Sequence, residues 1–229
     1  MINENKYSDV AALESVGYAK NYNNYIFKLI SRHIQGSEVL DFGAGYGNFC
    51  SYLKNKNKNV IAIEINEEAI ERLNELSIIN YKKIEKTGKK FHNIVSLNVL
   101  EHLDHDKKVF QELVESLELG GKIILYLPAS MVIWTKLDEI VQHRRRYSKK
   151  LIYDLVKIDE VEIEYIQWVD FVGWVTLLLS KILRLNLEFN KNRIIFYDRF
   201  LFKPLKYLDV FFKYIIGKNI LVVLSKIRD

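Results

Sequence analysis

The stretch VLDFGAGYGNF, residues 39–49, decides the fold of this chain. It places Gly43, Gly45 and Gly47 at alternate positions, although the whole sequence of 229 residues holds only ten glycines. Glycine costs backbone entropy and has no side chain to pack, so this cluster indicates a sharp turn or a close approach to the backbone. The apolar run before the glycines predicts a short strand, and NFCSYLKNK after them predicts a helix.

Strand and helix patterns alternate through the first half of the chain. NVIAIEI, residues 59–65, predicts a buried strand, and NEEAIERLNEL predicts a helix capped by Asn66. HNIVSLNVL predicts a third strand, DKKVFQELVESLEL a helix ended by Gly120 and Gly121, and KIILYLP a fourth strand. The alternation predicts an α/β fold with a mostly parallel sheet and helices on both faces.

The alternation weakens after Pro128. SKKLIYDLVKI predicts a helix capped by Ser148, VEIEYIQWV a strand and NILVVLSKI the last strand, with a helical insertion before it. We predict one domain over residues 1–229. Its predicted parts are a helical cap at 1–36 (helical over 8–34), a cofactor-binding core at 37–128, an acceptor-side segment at 129–170, a basic–aromatic insertion at 171–216 and a terminal strand at 217–229.

Composition narrows the class of protein. Apolar residues make up 49% of the chain, enough for a sizeable core, and the single cysteine, Cys50, is expected to be a packing residue. One cysteine and no recognisable signal peptide predict the cytoplasm. The longest apolar run, residues 171–180, ends at Lys181 and falls short of the roughly 18 residues of a membrane-spanning helix, so none is predicted.

Positive charge is concentrated near the end of the chain. Residues 181–229 hold eleven Lys or Arg against four Asp or Glu, whereas the whole chain carries a net charge of +5. This region is also aromatic, as in FYDRFLF and YLDVFFKYII. Such a mixture suits a nucleic-acid groove, an anionic membrane surface or an acidic ligand. A core-facing surface with solvated lysines explains it equally well.

The glycine turn and one acidic residue together indicate a nucleoside cofactor. In an open α/β sheet, ligands bind beyond the carboxyl ends of the strands. Glu64 ends the second predicted strand, seventeen residues after Gly47. A carboxylate there can accept hydrogen bonds from the two hydroxyls of a ribose, so the spacing predicts an adenosine-containing cofactor.

The glycine pattern departs from the dinucleotide fingerprint G-x-G-x-x-G, because Asn48 stands at its third glycine. The stretch DFGAGYGN, with Asp41 before the turn, instead resembles the first motif of class I S-adenosylmethionine-dependent methyltransferases. NVLEHL at 98–103 and LELGGKIILYLPA at 117–129 resemble two further motifs of that family. The resemblance implies a Rossmann-like, doubly wound, seven-stranded fold and S-adenosylmethionine as cofactor. It assigns the cofactor-binding residues Tyr22, Asp41, Gly43, Ala44, Gly45, Gly47, Asn48, Glu64, Ile65, Asn98 and Val99.

The resemblance extends over nearly the whole chain. LDEIVQHRRRYSKKLI, residues 137–152, is similar to a D…H-x-R-R-Y segment in one bacterial subgroup, and residues 12–27 and 215–226 resemble that subgroup's ends. The acidic residue that often binds the adenine amino group has no match here. His92 stands where Phe-Asp is common, and Glu85 or a backbone group is the alternative.

Methyl transfer to an oxygen atom requires that the acceptor be aligned with the methyl group and that a base take the acceptor's proton. The sulfonium activates its own methyl group, so the enzyme aligns the acceptor and, for an oxygen acceptor, supplies a general base. We predict His102, His143 and Glu101 as catalytic residues, with His105 facing solvent. Glu101 has a second interpretation as a helix cap. The run Arg144–Arg146 either grips a phosphate or carboxylate or forms an ordinary solvated surface.

No metal is predicted. In some related O-methyltransferases an E-x-x-E-H arrangement binds a divalent ion, but Asn98 replaces the first acid here. Asn98, Glu101 and His102 would form a poor site for a hard cation.

The sequence as a whole predicts an S-adenosylmethionine-dependent methyltransferase acting on oxygen of a small, glycan or lipid-linked acceptor. The basic–aromatic region adds peripheral contact with an anionic membrane, at the inner face. Two alternatives stay open: an NAD(P)-dependent oxidoreductase, and a non-catalytic nucleoside- or lipid-binding module of the same fold. Nucleic acid is disfavoured as a partner, because NVLE replaces the N-P-P-Y signature of amino-group methylation. No oligomeric state is predicted.

Overall fold

The computed structural model describes residues 17–185 and 190–228 and contains a seven-stranded sheet. Its strand order is β3-β2-β1-β4-β5-β7-β6; β1 to β5 run parallel, and β7 is antiparallel to both of its neighbours. The predicted Rossmann-like fold is thereby confirmed. The strands are β1 (Glu38–Phe42), β2 (Asn59–Ile63), β3 (Ile79–Tyr81), β4 (Phe91–Leu97), β5 (Leu117–Pro128), β6 (Val161–Val169) and β7 (Asn219–Lys226).

Helices pack on both faces of this sheet. Alternate strand residues belong to different cores: Leu40 packs with Phe110 on one face, whereas Val39 packs with Ile30 and Leu53 on the other. This alternation is what a strand buried on both faces requires. The longer helices in the described part are α1 (Lys20–Ser31), α2 (Asn48–Lys54), α3 (Glu67–Glu75), α4 (Asp106–Glu115), α5 (Lys136–Ile140), α6 (Lys149–Leu155), α7 (Phe171–Ile182) and α8 (Lys191–Phe196).

Local capping signals agree with the structure. The side chain of Asn66 accepts a hydrogen bond from the Ala69 amide at the start of α3, and Ser148 does the same for Leu151 at the start of α6. In the N-terminal cap, α1 lies within the predicted helix at 8–34, of which residues 8–16 lie outside the described residues.

The structure differs from the elements predicted from the sequence in one missed strand and one wrong boundary. The strand β3 was not predicted, because three residues paired only with β2 at the edge of the sheet leave almost no periodic pattern. HNIVSLNVL and KIILYLP therefore supply the fourth and fifth strands. Residues 117–121 belong to β5 rather than to the preceding helix, since Leu117 is fully buried and pairs with Phe91.

The insertion at 171–216 joins the antiparallel strands β6 and β7 and is attached by two buried carboxylates. Asp209 accepts hydrogen bonds from the amides of Asp170 and Phe171, at 2.9 and 2.8 Å. Asp198 accepts hydrogen bonds from the amides of Asn21 and Tyr22 in α1, at 2.9 and 2.7 Å. These bonds hold the insertion against the carboxyl end of the sheet. In the described part of the chain, no helix is long and apolar enough to cross a membrane.

Candidate active site at the carboxyl end of the sheet

The three glycines of the turn between β1 and α2 all have left-handed backbone conformations. The φ angles of Gly43, Gly45 and Gly47 are +78°, +52° and +72°, a region that other residues rarely adopt. A Cβ atom on Gly43 would lie 2.3 Å from a methyl carbon of Val99, and one on Gly47 would lie 2.9 Å from Leu73. The protein itself therefore requires two of these glycines, because the turn packs tightly against its neighbours.

Glu64 follows β2 and connects the glycine turn to the next loop. Its Oε2 accepts a hydrogen bond of 2.7 Å from the Gly45 amide. Its Oε1 accepts bonds from the amides of Ile65 and Asn66, at 2.7 and 2.9 Å. Three amides thus hold the carboxylate at the carboxyl edge of β1 and β2, beside Ile65, whose side chain is 75% exposed.

The loop after β4 forms the opposite wall. Val99 contacts Gly43, and Asn98 adopts a φ of +52° while its amide donates to the carbonyl of Tyr126. The Asn98 side-chain oxygen accepts a bond of 3.3 Å from Asn219, a residue that the sequence analysis missed. Asn219 begins the distant strand β7, so no pattern near the motif could have indicated it.

Tyr22 of α1 reaches the same wall. Its hydroxyl lies 2.8 Å from the hydroxyl of Tyr126 and 3.4 Å from Asn219 Oδ1. Burial raises the pKa of Tyr22 to about 12 despite the nearby Lys218, so the phenol stays neutral. The structure thus brings Tyr22 and Asn98 together through one shared partner.

Asp41 and Asn48 lie at the two ends of the turn. Asp41 is buried within β1 and accepts a hydrogen bond of 3.0 Å from the Cys50 thiol, while Asn48 is exposed at the start of α2. Burial raises the pKa of the Asp41 carboxyl to about 7. Cys50 is a buried packing residue, as predicted, and its thiol is the partner of Asp41.

Glu101, His102 and His143 meet directly beyond the Val99 wall, and we refer to them as the acceptor cluster. His143 Nε2 lies 3.7 Å from Glu101 Oε1, and the rings of His102 and His143 are 4.8 Å apart. Glu101 is 0% exposed, and neither carboxylate oxygen has a hydrogen-bond partner among the described residues. Burial raises its pKa to about 8, so near neutral pH the carboxyl holds a proton unless a cation pairs with it.

The orientation of His143 is set by Asp138. His143 Nδ1 lies 2.8 Å from Asp138 Oδ1, which also accepts a 2.7 Å bond from Arg146 Nε. A carboxylate only accepts hydrogen bonds, so in the neutral ring Nδ1 carries the hydrogen and the lone pair of Nε2 lies on the side of Glu101. Burial, with a smaller contribution from His143, lowers the pKa of His102 to about 4, which keeps that ring neutral.

The three arginines after His143 are all paired with acidic side chains of the protein. Arg144 contacts Asp104, Arg145 contacts Asp106 at 2.6 Å, and buried Arg146 bonds Asp138 and the Ala129 carbonyl. The Tyr147 hydroxyl donates to Asp106 as well, at 2.8 Å. The segment 137–147 is therefore a strap that holds His143 in place. The alternative of a free phosphate-gripping cluster is not supported.

Two of the weaker candidates lie away from the cluster. His105 is exposed, as predicted. His92 lies at the start of β4, the amino end of the strand, and contacts Glu118 and Gln35 there. His92 is therefore far from the carboxyl end of the sheet, whereas exposed Glu85 lies in the turn that follows the carboxyl end of β3.

This fold, with a glycine turn, an acidic residue after β2 and a polar cluster after β4, is typical of α/β enzymes that bind a nucleoside cofactor, methyltransferases among them. Residues 18–162 match the family described as "Methyltransferase domain", and the chain belongs to that family. The family supports S-adenosylmethionine as the cofactor, as predicted. A search of the curated proteins finds no match to this sequence.

Solved structures with the same fold are distant in sequence. A chain of the complex between the Haloferax volcanii Trm112 methyltransferase activator and a methyltransferase is similar at a TM-score of 0.66 and 10% identity, covering 96% of both chains. Geranyl diphosphate C-methyltransferase from Streptomyces coelicolor gives 0.60 and 12%, covering 89% of this chain and 79% of its own. TehB from Haemophilus influenzae gives 0.55 and 15%; the match covers 89% of this chain and 62% of TehB.

Proposed function

We propose that the protein transfers a methyl group from S-adenosylmethionine to an oxygen atom of a small, glycan or lipid-linked acceptor. One observation carries the proposal. The His102 amide of the acceptor cluster donates a hydrogen bond of 3.0 Å to the carbonyl of Val99, and Val99 packs against the glycine turn. This connection supports the proposal, because transfer to a hydroxyl requires a proton-accepting group close to the cofactor.

For the cofactor, we propose the eleven residues that the family resemblance assigns. Glu64 is the proposed ribose ligand: its three amide bonds orient the carboxylate, and because a carboxylate offers about four acceptor sites, about one site remains for a ribose hydroxyl. Ile65 offers an exposed apolar side chain beside it for the adenine. Asp41 contributes to the site by supporting the glycine turn from below, because its side chain is buried.

For the chemistry, the sulfonium of the bound cofactor supplies the activated methyl group. The protein orients the acceptor and takes its proton. His143 Nε2 is the proposed base, because Asp138 contacts Nδ1 on the opposite side of the ring and fixes its tautomer. An imidazole with a positioned carboxylate partner is a common general base near neutral pH.

Calorimetric titration tests the cofactor assignment. S-adenosylmethionine and S-adenosylhomocysteine should bind wild-type protein, Glu64→Ala should bind them at least about tenfold more weakly, and NADH should not bind. Glu71→Ala, an exposed acid on α3, is the matched control and should bind like wild type. Binding of NADH alone would favour the oxidoreductase and reject the proposal. Binding without transfer to any acceptor would favour the non-catalytic module.

We also propose that the insertion contacts an anionic membrane at the cytoplasmic face. Its two acids in the described part, Asp198 and Asp209, are buried, so its surface presents cations. Cations lie beside exposed rings in the pairs Arg199–Phe200, Lys206–Tyr207 and Lys213–Tyr214. Exposed apolar groups combined with basic side chains are the pattern of interfacial binding to anionic lipid.

Vesicle flotation tests this surface. Wild-type protein should float with vesicles that contain anionic lipid and much less with neutral ones, and Phe200→Ser with Phe211→Ser should weaken the association. Ile79→Ser, an exposed apolar residue on the edge strand β3, is the matched control. Equal and negligible binding to both kinds of vesicle would reject the membrane contact while leaving the cofactor assignment intact.

A further inference from the structure

We infer that Glu101, His102 and His143 form a binding site for one divalent transition-metal ion of the Zn²⁺ type. One ligand atom from each residue can be chosen so that all three lie within 4.8 Å of one another. Two imidazole nitrogens and one carboxylate are the protein ligands of a catalytic zinc site, which keeps a further position for water or substrate.

The state of Glu101 is the strongest support. Its side chain is completely buried, and both oxygens are without a hydrogen-bond partner in the described part of the chain. Arg146, the buried arginine nearby, is bonded to Asp138 and to two backbone carbonyls. A buried carboxyl group that lacks partners is strongly unfavourable. A cation held between Glu101 and the two imidazoles would remove that cost.

Asp138 provides the outer support that metal-binding histidines usually have. It bonds Nδ1 of His143, which leaves Nε2 free to coordinate, and it is itself held by Arg146 and the Thr135 amide. A carboxylate behind a ligating histidine fixes the ring and increases the basicity of the coordinating nitrogen. The strap therefore delivers a ligand that is already oriented.

This site differs from the one that the sequence argues against. The sequence offers Asn98, Glu101 and His102 as the candidate set, and that set predicts no metal. In the fold, Asn98 bonds Asn219, and His143 reaches the cluster from the strap. A set with two imidazole nitrogens favours Zn²⁺ or Co²⁺, whereas Mg²⁺ and Ca²⁺ prefer oxygen ligands.

The role of the ion rests on the proposed function, although its binding does not. An acceptor hydroxyl at the open coordination position would lose its proton to solvent, because a bound Zn²⁺ lowers the pKa of coordinated oxygen. The oxygen then forms a bond to the methyl carbon, and the carbon–sulfur bond breaks with its electron pair remaining on sulfur. With the ion present, His143 acts as a ligand instead of a base.

The test uses the protein of 229 residues, treated with a chelator and then dialysed. Titration with Zn²⁺ followed by calorimetry should show one site per chain, and titration with Co²⁺ should produce the visible absorption of a low-coordinate nitrogen–oxygen site. His143→Ala and Glu101→Gln should each weaken Zn²⁺ binding at least about tenfold. His92→Ala, which removes a histidine outside the cluster, should leave it unchanged.

Three outcomes would overturn the inference: no Zn²⁺ binding by folded wild-type protein, equal binding by wild type and His143→Ala, or Mg²⁺ binding as tight as Zn²⁺ binding. Circular dichroism of each variant verifies that loss of binding is not loss of folding. S-adenosylhomocysteine binding is measured in parallel with chelator present. If S-adenosylhomocysteine binds while Zn²⁺ does not, the metal inference fails and the proposed function stands. If Zn²⁺ binds while S-adenosylhomocysteine does not, the proposed function fails and the metal inference stands.

Discussion

Gly43 shows how one residue joins the two walls of the site. Its φ is positive, and its hydrogen occupies the space where a Cβ would meet Val99 at 2.3 Å. The sequence suggested that glycine lets a ligand approach the backbone. The structure adds a second reason, because the turn and the loop after β4 are in contact at this residue.

Gly43→Ala should therefore destabilise the protein by about 1–3 kcal/mol, the usual range for overpacking, in addition to the cost of its backbone conformation. Gly88→Ala is the matched control, since Gly88 has a φ of +67° and no heavy atom within 4 Å of the added carbon. Urea denaturation measures both variants. Adding Val99→Ala should recover part of the Gly43→Ala loss; equal losses for Gly43→Ala and Gly88→Ala would contradict the contact.

The buried carboxyl group of Asp41 should make the stability of the protein depend on pH. Burial raises the pKa of its carboxyl group from the ordinary value near 4 to about 7. The folded protein therefore retains this proton where the unfolded chain has released it. Its contribution to stability is fully present below pH 4 and is lost as the pH rises toward 7, by at most about 1.4 kcal/mol per pH unit.

Asp41→Asn removes this titration, so the free energy of unfolding should decline less between pH 4 and pH 7 than in wild type. Urea midpoints measured at several pH values check this. Glu101 titrates in the same direction in both proteins, so only the difference between the two profiles is informative. Parallel profiles would mean that Asp41 titrates normally in the folded state.

Among the elements, the strap at 137–147 is the one whose structure depends most on contacts with distant parts of the chain. The sequence shows three consecutive arginines, and nothing in the sequence distinguishes the role of one from that of another. In the fold, the Arg144 side chain is 51% exposed beside Asp104, whereas that of Arg146 is 7% exposed and bonded to Asp138. Because only Arg146 is buried, we expect it to contribute more to the free energy of unfolding than Arg144.

Arg146→Ala should lower the free energy of unfolding by about 3–5 kcal/mol, because it leaves the buried Asp138 without its cation. Arg144→Ala should cost less than about 1 kcal/mol, as expected for an exposed ion pair. Chemical denaturation compares the two variants with wild type. Similar losses at both positions would show that the strap is held by its backbone rather than by Arg146.

At the scale of the whole molecule, cofactor binding should stabilise the folded chain. S-adenosylhomocysteine at about 100 times its dissociation constant adds about 2.7 kcal/mol, which raises the melting temperature of a domain of this size by roughly 5–11 °C. Thermal denaturation followed by circular dichroism measures the shift. Glu64→Ala should show a much smaller shift at the same concentration, and Glu71→Ala the full one.

Short-range patterns account for most of the architecture. The glycine turn, the Asn66 and Ser148 caps and the buried strands were predicted correctly because each depends on a few neighbouring residues. The edge strand β3 and the start of β5 were not, since their conformation depends on pairing with β2 and β4. Propensity and periodicity lose their information where a strand is short or where a partner strand overrides a local preference.

The residues of the candidate site also fall into two groups, those that short-range patterns indicate and those that only tertiary contacts bring together. Glu64 and the glycines could be identified from spacing, because strand, turn and strand lie close together along the chain. The meeting of Glu101 with His143, the support from Asp138 and the contact of Asn98 with Asn219 join residues from distant segments. A side chain's partners and its burial are properties of packing, so the pairing of the arginines and the unpartnered Glu101 became visible only once the chain was folded.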